Sequence, residues 1–593
     1  MPVVSVTRDS LFKELGKTFT QEEFADFCFE FGIELDDVII ENQDGNDVTI
    51  YKIDVPANRY DLLCLEGLSQ ALNCFLQRKK SPHFIKKPKL SENHVITVKE
   101  ETKQIRPFIV SAVLKNIVFN EDRFQSFIDL QDKLHQNICR RRTLVAIGTH
   151  DLDTLTPPFT YEALKPEDIK FIPLNQTKEM NANELMEFYE NDLKLKHFLH
   201  IIRDSPVYPV IYDSKRVVLS LPPIINGDHS KITLKYKNVF IECTATDITK
   251  AKIVLDTIIA MFSQYCEEPF SAHSVEVIHS DGITKTTFPE LQYREVPIQI
   301  SYINKVCGVK LTADQISTLL EKMMLEENKE KRKTIQKQDT IDHELTIIVP
   351  PTRSDILHPC DIAEDVAIAY GYNNIVPTTP KSNTIATQQP LNHLTELLRI
   401  EVSQCGFTEV LNFALSSHQD CFENMRMEDD GKTACVIQNP KTTDFQIPRI
   451  SLIPGLLKTY TSSRDVKLPI KLFEISEIVV LDEKKETGAK NIRKLAALYV
   501  DSNRSGFESI HGLLDRVMQV LGIKWDSTQK DPNAYYLKET IHPSFFEKRC
   551  AQIYHGKTEI GIIGIVHPLV LKNFSILNPC SAIEIDIEHF LKK

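Results

Sequence analysis

PPTRSDILHPCDIAEDVAIAYGYNN, residues 350–374, carries four acids in a short span: Asp355, Asp361, Glu364 and Asp365. The last three are spaced i, i+3, i+4, which places them on one face of a helix. Like charges at that spacing weaken a helix unless a cation or basic groups hold them. Ile362, Val366, Ala369 and Tyr370 form the opposite, apolar face, so the acids point away from the core. A related stretch, VPANRYDLLCLEGLSQAL at residues 55–72, has Gly67, Gln70 and Ala71 at the three helical acidic positions.

The likeness extends outward from both stretches, and it reads as an internal repeat. Residues from Val4 to about Leu76 parallel those from Ile298 to about Asn374. Each copy opens with a short strand (VSV; IQI), a helix-like stretch and a glycine, Gly16 or Gly308. Thr20 with Glu23, and Thr312 with Gln315, have capping-box spacing, in which side chains satisfy orphan amides of a first helical turn. Apolar residues follow at helical spacing, and a charged loop then leads to the shared signature.

The rest of the chain divides around these copies. Arg78–Lys89, RKKSPHFIKKPK, reads as a solvated, flexible connector, charged and carrying two prolines. Residues 95–275 read as α+β: a long helix over Glu121–Arg142, strands LVAIG, YPVIYD, VVLSL and VFIECTA, and a helix from Lys250 to about Cys266. After residue 385 comes a helix over Leu394–Cys405, then the strand-rich LPIKLFEISEIVVLD and KTEIGIIGIVHP.

Composition excludes several classes. A net charge of −12 does not suit a free-standing nucleic-acid binder. Thirteen cysteines contain no CxxC pair, which argues against zinc ribbons and thioredoxin-type chemistry and for a reducing compartment. The start lacks a secretory core, and no run reaches the ~20 apolar residues of a membrane span, so the expected compartment is cytoplasmic, with no membrane partner. No Walker motif or GxGxxG offers a nucleotide site.

KIDVPANRYDLLCLEGL, LQDKLHQNICRRR, AIGTHDLDTL, LPPIINGDHSKIT, IECTATDITKAKIVLD, PPTRSDILHPCDIAEDVAIAYGYNNI and NPKTTDFQIPRISLIPGLLKT occur in that order. Together they resemble the beta subunits of phenylalanyl–tRNA synthetases of eukaryotic cytosolic and archaeal type, over nearly the whole chain. The resemblance implies an α+β multidomain fold, with two related small α/β modules flanking an editing domain. A catalytically inactive class II synthetase-like domain, an antiparallel sheet with helices, completes it. The implied boundaries are 1–90, 91–280, 290–380 and 385–593.

The same resemblance implies a heterotetramer of two alpha and two beta chains that joins L-phenylalanine to tRNA(Phe) using ATP and magnesium. It assigns Asp355, Asp361, Glu364 and Asp365 to a magnesium site shared with the alpha subunit; oxygen-only donors suit that ion. It places hydrolytic editing of tyrosyl-tRNA at Asn226, Asp228, His229, Thr244 and Asp247. From the residues alone, Asn226-Gly227-Asp228 is also turn chemistry, and Asp247 or Thr246 is also a helix cap. A working class II core needs a motif arginine after a glycine-rich strand. Here Gly561-Ile562-Ile563-Gly564 is followed by none, KLFEISEI lacks Arg-x-Glu, and Arg449 reads as structural. The expected aminoacylation site is therefore in the alpha subunit. Two rival expectations are a stand-alone magnesium-dependent hydrolase built on the acidic cluster and a pure interaction module.

Overall fold

The structure is a computed structural model that describes residues 2–43, 45–235, 237–337, 340–382, 386–463 and 465–591. The expected domain start at 385 and the end at 592–593 lie outside the described residues. Two compact units form, Met1–Thr379 and Pro380–Lys593.

The first unit contains both repeat copies. In the first, the helices Arg8–Leu15 and Gln21–Phe31 lie on an antiparallel sheet of Val3–Thr7, Asn46–Asp54 and Glu34–Gln43, with Asn46–Asp54 central. In the second, Thr340–Val349 is the central strand, flanked by Arg294–Gln299 on one side and by Glu326–Glu327 and Lys333–Lys337 on the other. Both capping boxes form, on Thr20 and on Thr312, and Gly16 and Gly308 end their helices at φ 61° and 70°. Positive φ favours glycine there because a Cβ would crowd the backbone. The expected charged loop is instead strand in both copies. Glu34–Gln43 is the edge strand of its sheet, and none of the side chains of residues 34–42 is buried, which suits an edge facing water.

The two copies pack with exchanged roles. Helix Leu65–Phe75 of the first lies on Ala313–Lys322 of the second, and Pro359–Tyr370 of the second lies on Gln21–Phe31 of the first. These are the same helix pair with the copies swapped, so the modules are related by a local pseudo-two-fold.

Between the copies in sequence, an eleven-stranded mixed sheet forms among the described residues. Helices Glu121–Gln136 and Ile248–Phe262 pack on it. The first of these ends at Gln136, six residues earlier than expected. Arg140, Arg141 and Arg142 all take positive φ and cannot continue a right-handed helix. The connector is not a free linker either. Phe84 is buried, Ile85–Lys87 pairs in parallel with Ser271–Ile278, and His83 stacks on Tyr293. Burial of one aromatic outweighs the solvation of its charged neighbours.

The second unit is an eight-stranded sheet in the order Thr408–Glu409, Ile470–Leu481, Ala489–Val500, Cys580–Asp586, Thr558–Val566, Phe545–His555, Ala534–Glu539, Lys524–Trp525. All neighbours are antiparallel except at the two ends. Alternation along one strand feeds both cores. Leu495, Ala497 and Tyr499 pack with helices Pro390–Gln404 and Phe507–Val520, while Ala496, Leu498 and Val500 pack with helix Ile453–Ser462. The chain as a whole is a mixed α/β multidomain protein.

Candidate functional site

The signature turns of the two repeats have one geometry. Arg59 N–H donates to Pro56 C=O and Arg353 N–H to Pro350 C=O, both at 3.0 Å. In each turn the arginine Nε donates to the aspartate two residues on, at 3.0 Å for both Asp61 and Asp355. Arg353 goes further: its Nη2 lies 2.7 Å from both Asp355 Oδ2 and Asp365 Oδ2, and its Nη1 donates to Met323 C=O. The guanidinium is 1% exposed. The four acids therefore do not stand free. Arg353 lies between Asp355 and Asp365, and Asp361 accepts 2.7 Å bonds from the amides of Leu357 and His358 at the helix start.

All four acids line one cleft of about 230 Å³, together with Arg59, Phe31 and Tyr372. Glu364 is its exposed member. Burial opposes ionisation of Asp355, but the Arg353 and Arg59 guanidinia outweigh it and hold its carboxyl below the usual range. Burial dominates at Asp365 and pushes it up to about 6.

Asp355, Asp361 and Asp365 already have strong donors within this chain, and among the described residues no group of three His, Cys, Asp or Glu is arranged to hold a metal ion by itself. The sequence reading missed Arg353, although Arg-x-Asp occurs in both copies. The contrast between the copies has a packing cause. A Cβ on Gly67 would sit 1.7 Å from the Asp61 carbonyl and 2.6 Å from Met261 Sδ, so the first copy has no room for an acid where the second has Asp361.

The expected editing residues divide. Asp247 caps helix Ile248–Phe262, accepting from Lys250 N–H at 3.1 Å and pairing with Lys250 Nζ. Asp228 Oδ1 accepts from Asn175 N–H at 2.8 Å and fixes a loop. His229 is exposed, though desolvation by its surroundings and then the neighbouring His150 hold its imidazole below the usual range. Asn226 sits opposite Ser220 in the sheet and donates weakly to Thr149 C=O, at the edge of a cavity of about 490 Å³. Asp228, His229 and Asp247 do not line that cavity.

Thr244 lies elsewhere, inside the sheet, and marks a polar interior the sequence reading did not find. Glu242, two residues back on the same face, is 2% exposed; its Oε1 accepts from Ser220 Oγ at 2.9 Å and lies 3.9 Å from His150 Nε2. His150 Nδ1 bonds Ser230 Oγ at 2.8 Å. Gly148, opposite Glu242, gives the carboxylate its space, since a Cβ there would lie 2.1 Å from Oε1. Glu242 Oε2, Thr244 Oγ1, His150 Nε2 and Arg106 Nε are buried without a partner among the described residues. Each such atom costs about 1–3 kcal/mol. Four such atoms in one interior are a concentration of unmet hydrogen-bonding capacity that calls for an explanation. The signal available was Glu242 itself, a carboxylate that with Thr244 interrupts the apolar run VFIECTA.

In the second unit Arg449 is buried and tied to Glu474 at 2.6 Å, to Ser476 Oγ and to Glu477 C=O. It holds strands together. Among the described residues no helix is long and apolar enough to cross a membrane.

Family models match along most of the chain: the Phe-tRNA synthetase beta subunit B1 domain over residues 1–78, the B3/4 domain over 97–267, the tRNA synthetase B5 domain over 296–372, and the phenylalanyl tRNA synthetase beta chain CLM domain over 375–587. Fold and matches together define an aminoacyl-tRNA synthetase component. The phenylalanine–tRNA ligase beta subunit of Mus musculus is 52% identical, and the cytoplasmic one of Arabidopsis thaliana 51%, each over 100% of both chains. An N-terminal fragment of the phenylalanyl-tRNA synthetase beta subunit from Pyrococcus horikoshii superposes with TM-score 0.54 at 33% identity, covering 62% of this chain and 99% of that one. The chain belongs to the phenylalanine–tRNA ligase beta subunit family.

Proposed function

We propose that this chain is the beta subunit of a complex in which an alpha subunit joins L-phenylalanine to tRNA(Phe) with ATP, and that its interior around Glu242 hydrolyses mischarged tyrosyl-tRNA. The stoichiometry that family resemblance favours is two alpha and two beta chains, in the cytoplasm. The four regions of the chain serve as a first module, an editing region, a second module and a catalytic-like scaffold. Aminoacyl-adenylate chemistry belongs to the alpha partner; Arg449, the arginine considered for motif chemistry here, is consumed by Glu474 and Ser476.

The observation that carries the editing reading is the pair of unpartnered acceptors, Glu242 Oε2 and Thr244 Oγ1, in a buried sheet interior. Tyrosine differs from phenylalanine by one hydroxyl, and an apolar synthetic pocket rejects an added hydroxyl by only ~10². A site that hydrogen-bonds the hydroxyl does far better. Phenylalanine would leave its polar groups unpaired, at a discrimination of ~10⁴–10⁵. Glu242 then accepts from the phenol O–H, with Ser220 and Thr244 holding the geometry. Water adds to the ester carbonyl, the bond to the terminal ribose oxygen breaks, that oxygen takes the water's proton, and tyrosine and free tRNA leave.

Thr244→Val tests this in the alpha–beta complex. It removes an oxygen that has no partner in the free protein, so the fold keeps or gains stability, while hydrolysis of tyrosyl-tRNA falls at least tenfold. Glu242→Gln loses hydrolysis more strongly. Unchanged hydrolysis in both variants would refute the assignment.

A further inference from the structure

The turn that ends helix Glu121–Gln136 is unusual in charge as well as in conformation. Arg140, Arg141 and Arg142 have φ of 44°, 51° and 64° in succession. For residues with a Cβ this conformation costs about 1–2 kcal/mol each, so something must hold it. Arg106 donates to the carbonyls of Arg142 and Thr143, at 3.2 and 3.0 Å, and to Thr244 C=O at 2.8 Å. Arg142 donates to Pro223 and Ile224 C=O and lies 4.3 Å from the centre of the Phe198 ring. Arg141 N–H donates to His135 C=O at 2.7 Å.

Carbonyls meet the terminal N–H groups of the buried Arg106 and the half-buried Arg142, while the Nε of each has no partner among the described residues, and carbonyls carry no compensating charge. Arg140 and Arg141 project into solvent. Among the described residues none of the four arginines forms an ion pair. In a chain of net charge −12 this is a concentration of four arginines; Glu242 and Asp132 act on Arg106 and Arg142, while Arg140 and Arg141 have no ion pair among the described residues. It is also placed: Arg106 ties the turn to Thr244 C=O, and Ala245 pairs with Val145, directly beyond the turn. The turn is thus held against the strand that carries Glu242 and Thr244.

We propose that Arg140 and Arg141 clamp the phosphodiesters just behind the 3′-terminal nucleoside of a tRNA whose aminoacyl end enters the interior around Glu242. The left-handed turn holds the backbone of Arg140 and Arg141, so little loop entropy is lost on binding, and each guanidinium offers a planar fork to a phosphate. The proposal rests on the editing reading for the position of the aminoacyl end, and on the turn itself for the phosphate contact.

The test uses the alpha–beta complex with Arg140→Gly/Arg141→Gly and Arg140→Lys/Arg141→Lys. Glycine relieves the positive-φ strain while removing both charges; lysine keeps charge. In the glycine variant KM for tyrosyl-tRNA hydrolysis rises about tenfold or more while kcat holds. The slope of log KM against log salt falls by about 1.4, as expected for two single-strand phosphates. The lysine variant recovers most of the salt slope. Phosphate footprinting of the tRNA 3′ strand shows protection in wild type that the glycine variant loses. Unchanged KM, salt slope and footprint would overturn the clamp while leaving editing intact. If the wild-type complex hydrolysed no tyrosyl-tRNA, the editing reading would fail instead, and the footprint comparison would still decide the clamp.

Discussion

Replacing Arg353 by methionine removes the cation to which Asp355 and Asp365 are both hydrogen-bonded. The guanidinium is 1% exposed, and its three nitrogens make five contacts of 2.7–3.3 Å with the two carboxylates and the Met323 carbonyl. Breaking one buried pair by removing a partner costs about 3–5 kcal/mol, because a charge is left unpaired. Two carboxylates are stranded here, but Arg59 stays close enough to influence both and offsets part of the loss. The expected cost is therefore about 4 kcal/mol rather than twice that. Adding Asp355→Asn and Asp365→Asn removes the stranded charges and returns stability to within about 2 kcal/mol of wild type, since a buried ion cluster contributes little net stability over a neutral one. Urea unfolding followed by circular dichroism reads the totals, and hydrogen exchange over helix Pro359–Tyr370 assigns them to the second module. A single variant within 1 kcal/mol of wild type, or a triple variant no better than the single, would refute the reasoning.

Asp256, in helix Ile248–Phe262, is pushed from its ordinary 3.8 up to about 7, chiefly by burial. The folded state therefore holds its proton more tightly than the unfolded chain. The resulting stabilisation is full below 3.8 and is lost as pH rises through about 7. Asp256→Asn, which keeps an acceptor for Leu291 N–H, is expected to stabilise the first unit by up to about 4 kcal/mol at pH 8 and hardly at all at pH 4, as read by melting curves across that range. Asp247→Ala is expected to cost about 1 kcal/mol through the lost helix cap and to leave tyrosyl-tRNA hydrolysis within twofold of wild type, measured by release of free tyrosine.

What could be read in advance was local. Thr20 and Thr312 announce their helices because a capping box is closed by residues three apart. The duplicated Arg-x-Asp turn is also closed within a few residues, so its two copies carry matching sequence and matching bonds. The connector was misread because the burial of Phe84 depends on a strand, Ser271–Ile278, that lies far along the chain. Helix Glu121–Gln136 was read too long for a similar reason: arginine is a good helix former, and only Arg106 and the carbonyls of Pro223 and Ile224 hold the next residues left-handed.

The sequence by itself determined the duplication, the family and the crowding of four acids on one short span. Tertiary structure decided what those acids do, because a carboxylate's availability depends on which cation lies beside it, and Arg353 reaches Asp365 only once the turn and the helix have packed. Tertiary structure likewise gave Glu242 and Thr244 their setting: on an isolated strand they are two polar residues in an apolar run, and only the folded sheet buries Glu242 Oε2 and Thr244 Oγ1 without a hydrogen-bond partner among the described residues, where each such atom is costly.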